Sequence, residues 1–362
     1  MALLEVKDLV TEFPTRKGIV RAVDGVTFSI EQGEILAVVG ESGSGKSVTS
    51  LSIMGLLQEP GHVTGGSIVF DGKDLLAASE REMESIRGDQ ISMIFQEPMT
   101  SLNPVYRVGD QIVEAIQTHT SMNKKDAWAR AVEMLRVVGI PSPEERAHDF
   151  PHQMSGGMRQ RVMIAMALAC DPKLLIADEP ATALDVTIQA QVFNLLDDLK
   201  DQLGLTYLFI AHGLNVVKHI SDRVGVMYLG RLMEIASKNA LYHEPLCPYT
   251  QALLSAIPSP DPHLQRRRII LEGDVPSPID PPAGCRFAGR CFAKVGACDV
   301  GAPELAEVLP DHWCACHRYA NISGDEARKV AREIQYDAAR PSYGCGSSET
   351  NADPVVVPDS AA

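Results

Sequence analysis

Ile35-Leu36-Ala37-Val38-Val39-Gly40-Glu41-Ser42-Gly43-Ser44-Gly45-Lys46-Ser47 is the stretch on which the reading of the chain turns. Its first five residues are an apolar run of strand length, read as a buried strand. The next eight, GESGSGKS, fit G-x-x-x-x-G-K-[ST] and lead into the helix-compatible SVTSLSIMGLL. The glycines let backbone N–H groups turn inward as an anion nest, and a helix starting near Lys46 points its positive end at the same place. Lys46 is placed to reach β- and γ-phosphates, and the Ser47 hydroxyl to ligate Mg²⁺. Gly40, Ser42, Gly43, Ser44, Gly45, Lys46, Ser47 and Val48 are therefore the expected contacts of a nucleoside triphosphate.

Around this loop lie 362 residues, 45% apolar and 22% charged, which excludes disordered, collagenous and disulfide-scaffold classes. The formal charge of −14 argues against a chain living mainly on nucleic acid or anionic lipid. The longest apolar run, Val162 to Cys170, has nine residues, half of what a membrane-spanning helix needs. Glu5, Lys7 and Asp8 leave no signal-peptide stretch at the N-terminus, so a cytosolic protein is expected.

Residues 1–236 alternate strand and helix patterns in the manner of an α/β domain. Ile35–Val39, Ser67–Phe70, Leu174–Asp178 and Thr206–Ala211 read as buried strands. Between about Gly109 and Ile140, Ala127, Ala131, Leu135 and Val138 recur at helix spacing. Seven prolines then fall between Pro258 and Pro282, followed by a cysteine-rich segment that this stretch is expected to hold apart from the first domain. A C-terminal module is placed at 237–335, and residues 336–362, rich in Ser, Pro, Asp and Ala, read as a disordered tail.

A second acidic element narrows the chemistry. Leu174-Leu175-Ile176-Ala177-Asp178-Glu179 is an apolar strand ending in two carboxylates. Asp178 can hold the Mg²⁺ shell, and Glu179 stands where it can polarise an attacking water, which suits hydrolysis better than phosphorylation of a hydroxyl. Ser155-Gly156-Gly157-Met158-Arg159-Gln160, 23 residues before Asp178, resembles the signature sequence of ATP-binding cassette (ABC) ATPases. Gln96 within FQEP resembles the Q-loop, Ala183-Leu184-Asp185 the D-loop, and His212 the switch histidine. Phe13, or else another apolar residue before the cassette core, resembles the aromatic that stacks on adenine. Gly213 departs from the family, where an acidic residue often follows the histidine.

The resemblance implies an α/β fold: a P-loop ABC-type nucleotide-binding domain with a RecA-like core, a β-subdomain and a helical subdomain at about 97–165. It assigns Lys46, Gln96, Glu179 and His212 to catalysis, and Ser47, Gln96 and Asp178 to Mg²⁺. Ser155, Gly156, Gly157 and Asp185 would meet ATP held by a second cassette, related or identical, in a head-to-tail dimer. A catalytically dead cassette is disfavoured because Glu179 and His212 are both present.

The continuations QEPMTSLNPVYRVGDQI and FPHQMSGGMRQRVMIAMAL, with Pro245-Leu246-Cys247-Pro248-Tyr249-Thr250 and GDVPSPIDPPAGCRFAGRC further on, resemble the oligopeptide, dipeptide and nickel importers. A histidine is commoner in that subfamily at Cys247. The implied partners are two permease subunits and, indirectly, an external substrate-binding protein, with the chain peripheral on the cytoplasmic membrane face. The surface around Gln96–Asn103 is the expected permease groove, although Met99, Leu102 and Val105 could simply fill core. Nickel, a modified peptide, or a soluble ATPase acting on nucleic acid or ribosomes stay open as alternatives.

Five of eight cysteines fall between Cys285 and Cys316. Thiolates in a reducing compartment suit zinc or an iron–sulfur cluster better than disulfides. The subfamily includes iron–sulfur proteins, and the resemblance puts a [4Fe–4S] cluster on Cys285, Cys291, Cys298 and Cys316, with zinc or free reduced thiols as alternatives. A structural role is the default for such a module, which is loop-rich and short of core.

Overall fold

The computed structural model describes residues 2–96, 101–182, 184–258, 268–279 and 281–338. Its strands are β1 (Ala2–Thr15), β2 (Gly18–Glu31), β3 (Ile35–Val39), β4 (His62–Phe70), β5 (Lys73–Asp74) and β6 (Ile91–Ile94), then β7 (Leu174–Asp178), β8 (Thr206–Ala211), β9 (Arg223–Tyr228), β10 (Arg231–Ser237), β11 (Ala306–Leu309) and β12 (His312–Cys314). Among the described residues they form two sheets. An antiparallel one runs β2-β1-β4-β5, and a central one runs β11-β12-β10-β9-β3-β8-β7-β6.

In the central sheet β9, β3, β8, β7 and β6 are parallel, and every residue of β3, β7 and β8 is buried. Strands covered on both faces must be apolar throughout, which is why they read as unbroken runs. Alternate residues go to opposite cores. Ile35, Ala37, Val39, Leu175, Ala177 and Phe209 join the core built with the helices. Leu36, Val38, Leu174, Ile176 and Leu208 face the antiparallel sheet, where Leu4, Val6, Ile30 and Phe70 meet them.

The helical expectation between 109 and 140 resolves into two helices, Val108–His119 and Lys124–Val137, the second capped by Asn123 accepting from the backbone N–H of Lys125 and Asp126. They pack with helix Gly156–Leu168 in the first core.

The C-terminal segment is not held apart as expected. β12 pairs with β10, so the β11–β12 hairpin extends the central sheet. Cys285, Phe287, Cys298, Val308, Tyr319 and Ile334 bury in the same core as Val39 and Tyr228. A segment this short of apolar residues cannot close a core alone and completes itself on a larger one. The tail expected from 336 onward lies, from residue 339, outside the described residues.

Candidate functional site

The candidate residues gather because the sheet is parallel and its C-terminal ends lie side by side. Open α/β sheets bind ligands at that edge. Val39 pairs with Ala211, Ile210 with Asp178, and Ala177 with Ile94. The residues that follow are the Gly40 loop after β3, His212 after β8, Glu179 after β7 and Gln96 just beyond β6. Four strand ends thus deliver four sequence motifs to one crevice.

Two carboxylates organise the site. Ser47 Oγ donates to Asp178 Oδ1 at 3.0 Å. Gln96 Nε2 donates to Glu179 Oε2 at 2.7 Å, and His212 Nε2 lies 2.8 Å from the same oxygen. Thr182 Oγ1 donates to that oxygen as a third group, at 3.3 Å. Glu179 is 5% exposed and holds φ at +50°, with its N–H donating to the Ile210 carbonyl at 3.0 Å. A left-handed backbone at a glutamate is strained, and such strain gathers at working sites. Beside the carboxylate lies a cavity of about 270 Å³ lined by Glu179, Thr182, His212 and Asn215. That space has room for an attacking water.

The phosphate loop is tightly built. Lys46 Nζ donates to the carbonyls of Gly40 at 2.9 Å and Glu41 at 3.2 Å. Ser44 N–H donates to Glu41, and the Ser44 carbonyl accepts from Gly230 N–H at 2.8 Å. Gly45 has φ +101°, and a Cβ there would stand 2.2 Å from the Ala22 carbonyl. Only glycine fits. Ser42 and Gly43 are exposed at the loop's rim, and Val48 packs half-buried on the second core.

Burial pulls the Lys46 ammonium below its ordinary value, against the opposing pull of Glu179 and Asp178. Burial also lifts the Asp178 carboxyl to about 6; Glu179 adds to the rise, while Ser47, Lys46 and His212 oppose it. The charged form of Asp178, the one that ligates a cation, is therefore depleted as pH falls through about 6. The advantage of Mg·ATP over metal-free ATP in binding should shrink over that interval, and more steeply than in Asp178→Asn. Titration with a fluorescent ATP analogue, with and without Mg²⁺, measures both slopes. Equal slopes would show that Asp178 does not face the cation.

The signature residues make a separate set of contacts. Ser155 caps helix Gly156–Leu168, its Oγ accepting from Met158 N–H. A Cβ on Gly156 would touch Leu184, and one on Gly157 would touch Ile188. Asp185 caps the next helix, Val186–Leu203, accepting from Ile188 N–H at 2.9 Å. Among the described residues no hydrogen bond ties Ser155, Gly156, Gly157 or Asp185 to Lys46, Asp178 or Glu179. Ala183 lies outside the described residues. Phe13, on β1, packs its ring against Gly61 and pairs with Val20, two residues from Ala22 and so near the loop.

Cys285, Cys291, Cys298 and Cys316 come into one neighbourhood with Cys247 and Cys314. Cys285 N–H donates to the Cys298 carbonyl at 2.8 Å. Burial pushes the Cys285 thiol up to about 11 and Cys291 to about 12, and raises Cys314 and Cys316 as well. Among the described residues no three His, Cys, Asp or Glu side chains are set to hold a metal ion. The expected [4Fe–4S] cluster and the alternative zinc therefore find no support in the geometry. Zinc needs its ligands about 2.3 Å from one point, whereas these cysteines lie on or beside three separate 3₁₀ turns, and burial raises the Cys285, Cys291 and Cys316 thiols above their ordinary value. Cys345 lies outside the described residues.

Sequence reasoning missed Thr182, and also Tyr249 and Arg290, which touch the loop from elsewhere, and Arg286, which holds the neighbouring turn through the Leu229 carbonyl. Thr182 could have been found three residues after Glu179, within reach of its carboxylate. The others sit in the quoted C-terminal motifs, but nothing local says what they touch.

Residues 23–182 match the family described as ABC transporter, and residues 233–298 the oligopeptide/dipeptide transporter C-terminal region. The chain is 51% identical to the probable peptide ABC transporter ATP-binding protein y4tR of Sinorhizobium fredii, covering 87% of this chain and 95% of the relative. It is 50% identical to the oligopeptide transport ATP-binding protein AppD of Bacillus subtilis, covering 90% and 99%, and 47% identical to the dipeptide transport ATP-binding protein DppD of Escherichia coli, covering 88% and 97%. The ATP-binding cassette MJ0796, solved as a dimer in a post-hydrolysis state with ADP and phosphate, superposes with a TM-score of 0.59 at 27% identity, over 65% of this chain and 98% of that one. With the phosphate loop, paired carboxylates, glutamine and histidine assembled at one sheet edge, the chain belongs to the ATP-binding subunits of ABC transporters, in the branch that carries the oligopeptide/dipeptide transporter C-terminal region.

Proposed function

We propose that the chain hydrolyses ATP to energise import of di- and oligopeptides through a membrane transporter. The observation that carries this reading is the convergence of Gln96, His212 and Thr182 on one oxygen of Glu179, beside the Ser47–Asp178 pair. It occurs in a chain whose relatives are named for oligopeptide and dipeptide transport. In this proposal the loop N–H groups and Lys46 bind the phosphates. Ser47 and Asp178 are oxygen donors of the kind Mg²⁺ takes, the remaining positions going to phosphate and water, as is usual for this ion. Glu179 accepts the proton of the attacking water, and His212 and Gln96 orient that carboxylate.

Dimerisation and docking belong to the same proposal. The signature and Asp185 stand off the chain's own loop, and Val186 beside them is 82% exposed, which suits a surface completed by a second cassette. The expected permease groove is supported by a cavity of about 500 Å³ lined by Phe95, Ser101, Ala115, His119, Met163 and Met166. Leu102 is core, whereas Val105 is 72% exposed, and Met99 lies outside the described residues. No helix among the described residues is long and apolar enough to cross a membrane, so attachment would be through the permease. Purification from detergent-solubilised membranes tests this: permease subunits should come with the chain, and recovery with ribosomes or DNA alone would overturn the reading.

The iron–sulfur group expected at Cys285, Cys291, Cys298 and Cys316 rests on the shared neighbourhood of the thiols, and the lack of an ion-holding set among the described residues stands against it. Anaerobic purification decides. A brown chain with about four irons, bleached by any one of the four Cys→Ser changes, would establish the cluster. A colourless, iron-free chain would eliminate it.

A further inference from the structure

We infer that the C-terminal module positions the phosphate loop, with Arg290 and Tyr249 holding Glu41. Glu41 follows the first glycine of the loop, at a place where the motif asks for no particular side chain. Its carboxylate accepts from Arg290 Nη1 at 2.7 Å, and its N–H donates to the Tyr249 hydroxyl at 3.1 Å. Both partners come from the C-terminal region, more than 200 residues further along the chain. The Glu41 carbonyl in turn accepts from Lys46 Nζ. One residue of the loop is thus held through its side chain and its N–H from outside, while its carbonyl holds the lysine.

The clamp has a rigid base. Tyr249, Tyr228 and Phe287 stack edge-on or tilted with ring centroids 4.8–5.4 Å apart, and all three are at most 1% exposed. The Arg290 guanidinium lies over the Tyr228 ring, 5.9 Å from its centroid. Four residues earlier, Arg286 pairs with Asp24 at 2.5 Å and donates to the Leu229 carbonyl, fixing the turn whose Gly230 N–H bonds Ser44. Two arginines on one short segment therefore pin the loop at two places.

The charge matters as much as the contact. A free carboxylate at position 41 would stand beside a triphosphate and repel it. Arg290 neutralises that charge and holds it aside. Removing the arginine should weaken ATP binding by a force that removing the carboxylate relieves. A role for Arg290 in folding alone would show no such relief.

The inference rests on ATP binding by the loop, so the experiment uses the full chain and measures Mg·ATP affinity by titration alongside the thermal midpoint. Arg290→Ala should raise the Kd roughly tenfold, the order of one charge-assisted hydrogen bond. Glu41→Gln in the same chain should restore most of that loss. Tyr249→Phe keeps the ring and removes only the hydroxyl, and should weaken binding about threefold, the low end for a neutral hydrogen bond. If Arg290→Ala lowers the midpoint too far to be measured, Arg290→Gln gives the same readout. Unchanged affinity in the arginine variants, or a double variant no better than the single, overturns the inference. An unaltered chain that binds no ATP fails the functional reading instead.

Discussion

Glu179→Gln lowers steady-state ATP turnover by two orders of magnitude or more while ATP still binds. The side chain is 5% exposed, and one of its oxygens faces His212, Gln96 and Thr182. A glutamine amide keeps the volume and can still hydrogen-bond, but it cannot take a proton from water. Loss of a general base commonly costs about 10²–10⁴ in rate. The phosphate contacts lie on Lys46, Ser47 and the loop N–H groups, which this change leaves alone. Lys46→Ala should fail one step earlier, in nucleotide binding, because it removes both the cation and the tie between the loop's two ends. The comparison belongs in the assembled transporter, with turnover and nucleotide occupancy measured together. Near-normal turnover in Glu179→Gln would move the general base elsewhere.

How much of this was legible depended on whether the partner of each residue is local. Ile35–Val39, Leu174–Asp178 and Thr206–Ala211 were read to the residue, because burial on both faces leaves continuous apolar runs. Ser67–Phe70 was read short. β4 begins at His62, but its first five residues alternate exposure and include Gly65 and Gly66, which mask the strand. β1 and β2 went unread because bulges break their register and one face is wet. The nucleotide motifs were legible because phosphate chemistry fixes residue type at fixed spacing. Arg290 and Tyr249 were not, since their partner Glu41 is brought to them only by the folded sheet. The same reason hid the way β12 joins the cassette. Proline density reads as separation, yet three residues of strand suffice to add an edge.

That edge is secured by a buried carboxylate, and Glu234→Ala should cost about 3–5 kcal/mol of stability, the usual loss when one partner of a buried polar pair is removed. Glu234 lies on β10, opposite Cys314 of β12, and is 0% exposed. It accepts from Leu246 N–H at 2.7 Å, from Cys247 N–H at 3.0 Å, and lies 2.6 Å from Nε2 of His312, itself 1% exposed. One side chain thereby joins three segments: the cassette's strand, the start of helix Pro248–Ser255 and the C-terminal hairpin. Alanine would leave two backbone N–H groups and an imidazole in a dry core, each paying desolvation without a partner. Glu234→Gln keeps the volume but turns an N–H₂ toward one of those donors, so an intermediate loss is expected. Trp313, which pairs with Ile235, reports the hairpin by fluorescence, and urea unfolding of the full chain gives the midpoint. Trp128 packs in the helical layer, against the other of the two cores, and in a cooperative unfolding its signal should shift together with that of Trp313. A loss under about 1 kcal/mol, the net worth of a single ordinary hydrogen bond, would mean that the freed groups find water and that the hairpin is seated by its apolar contacts alone.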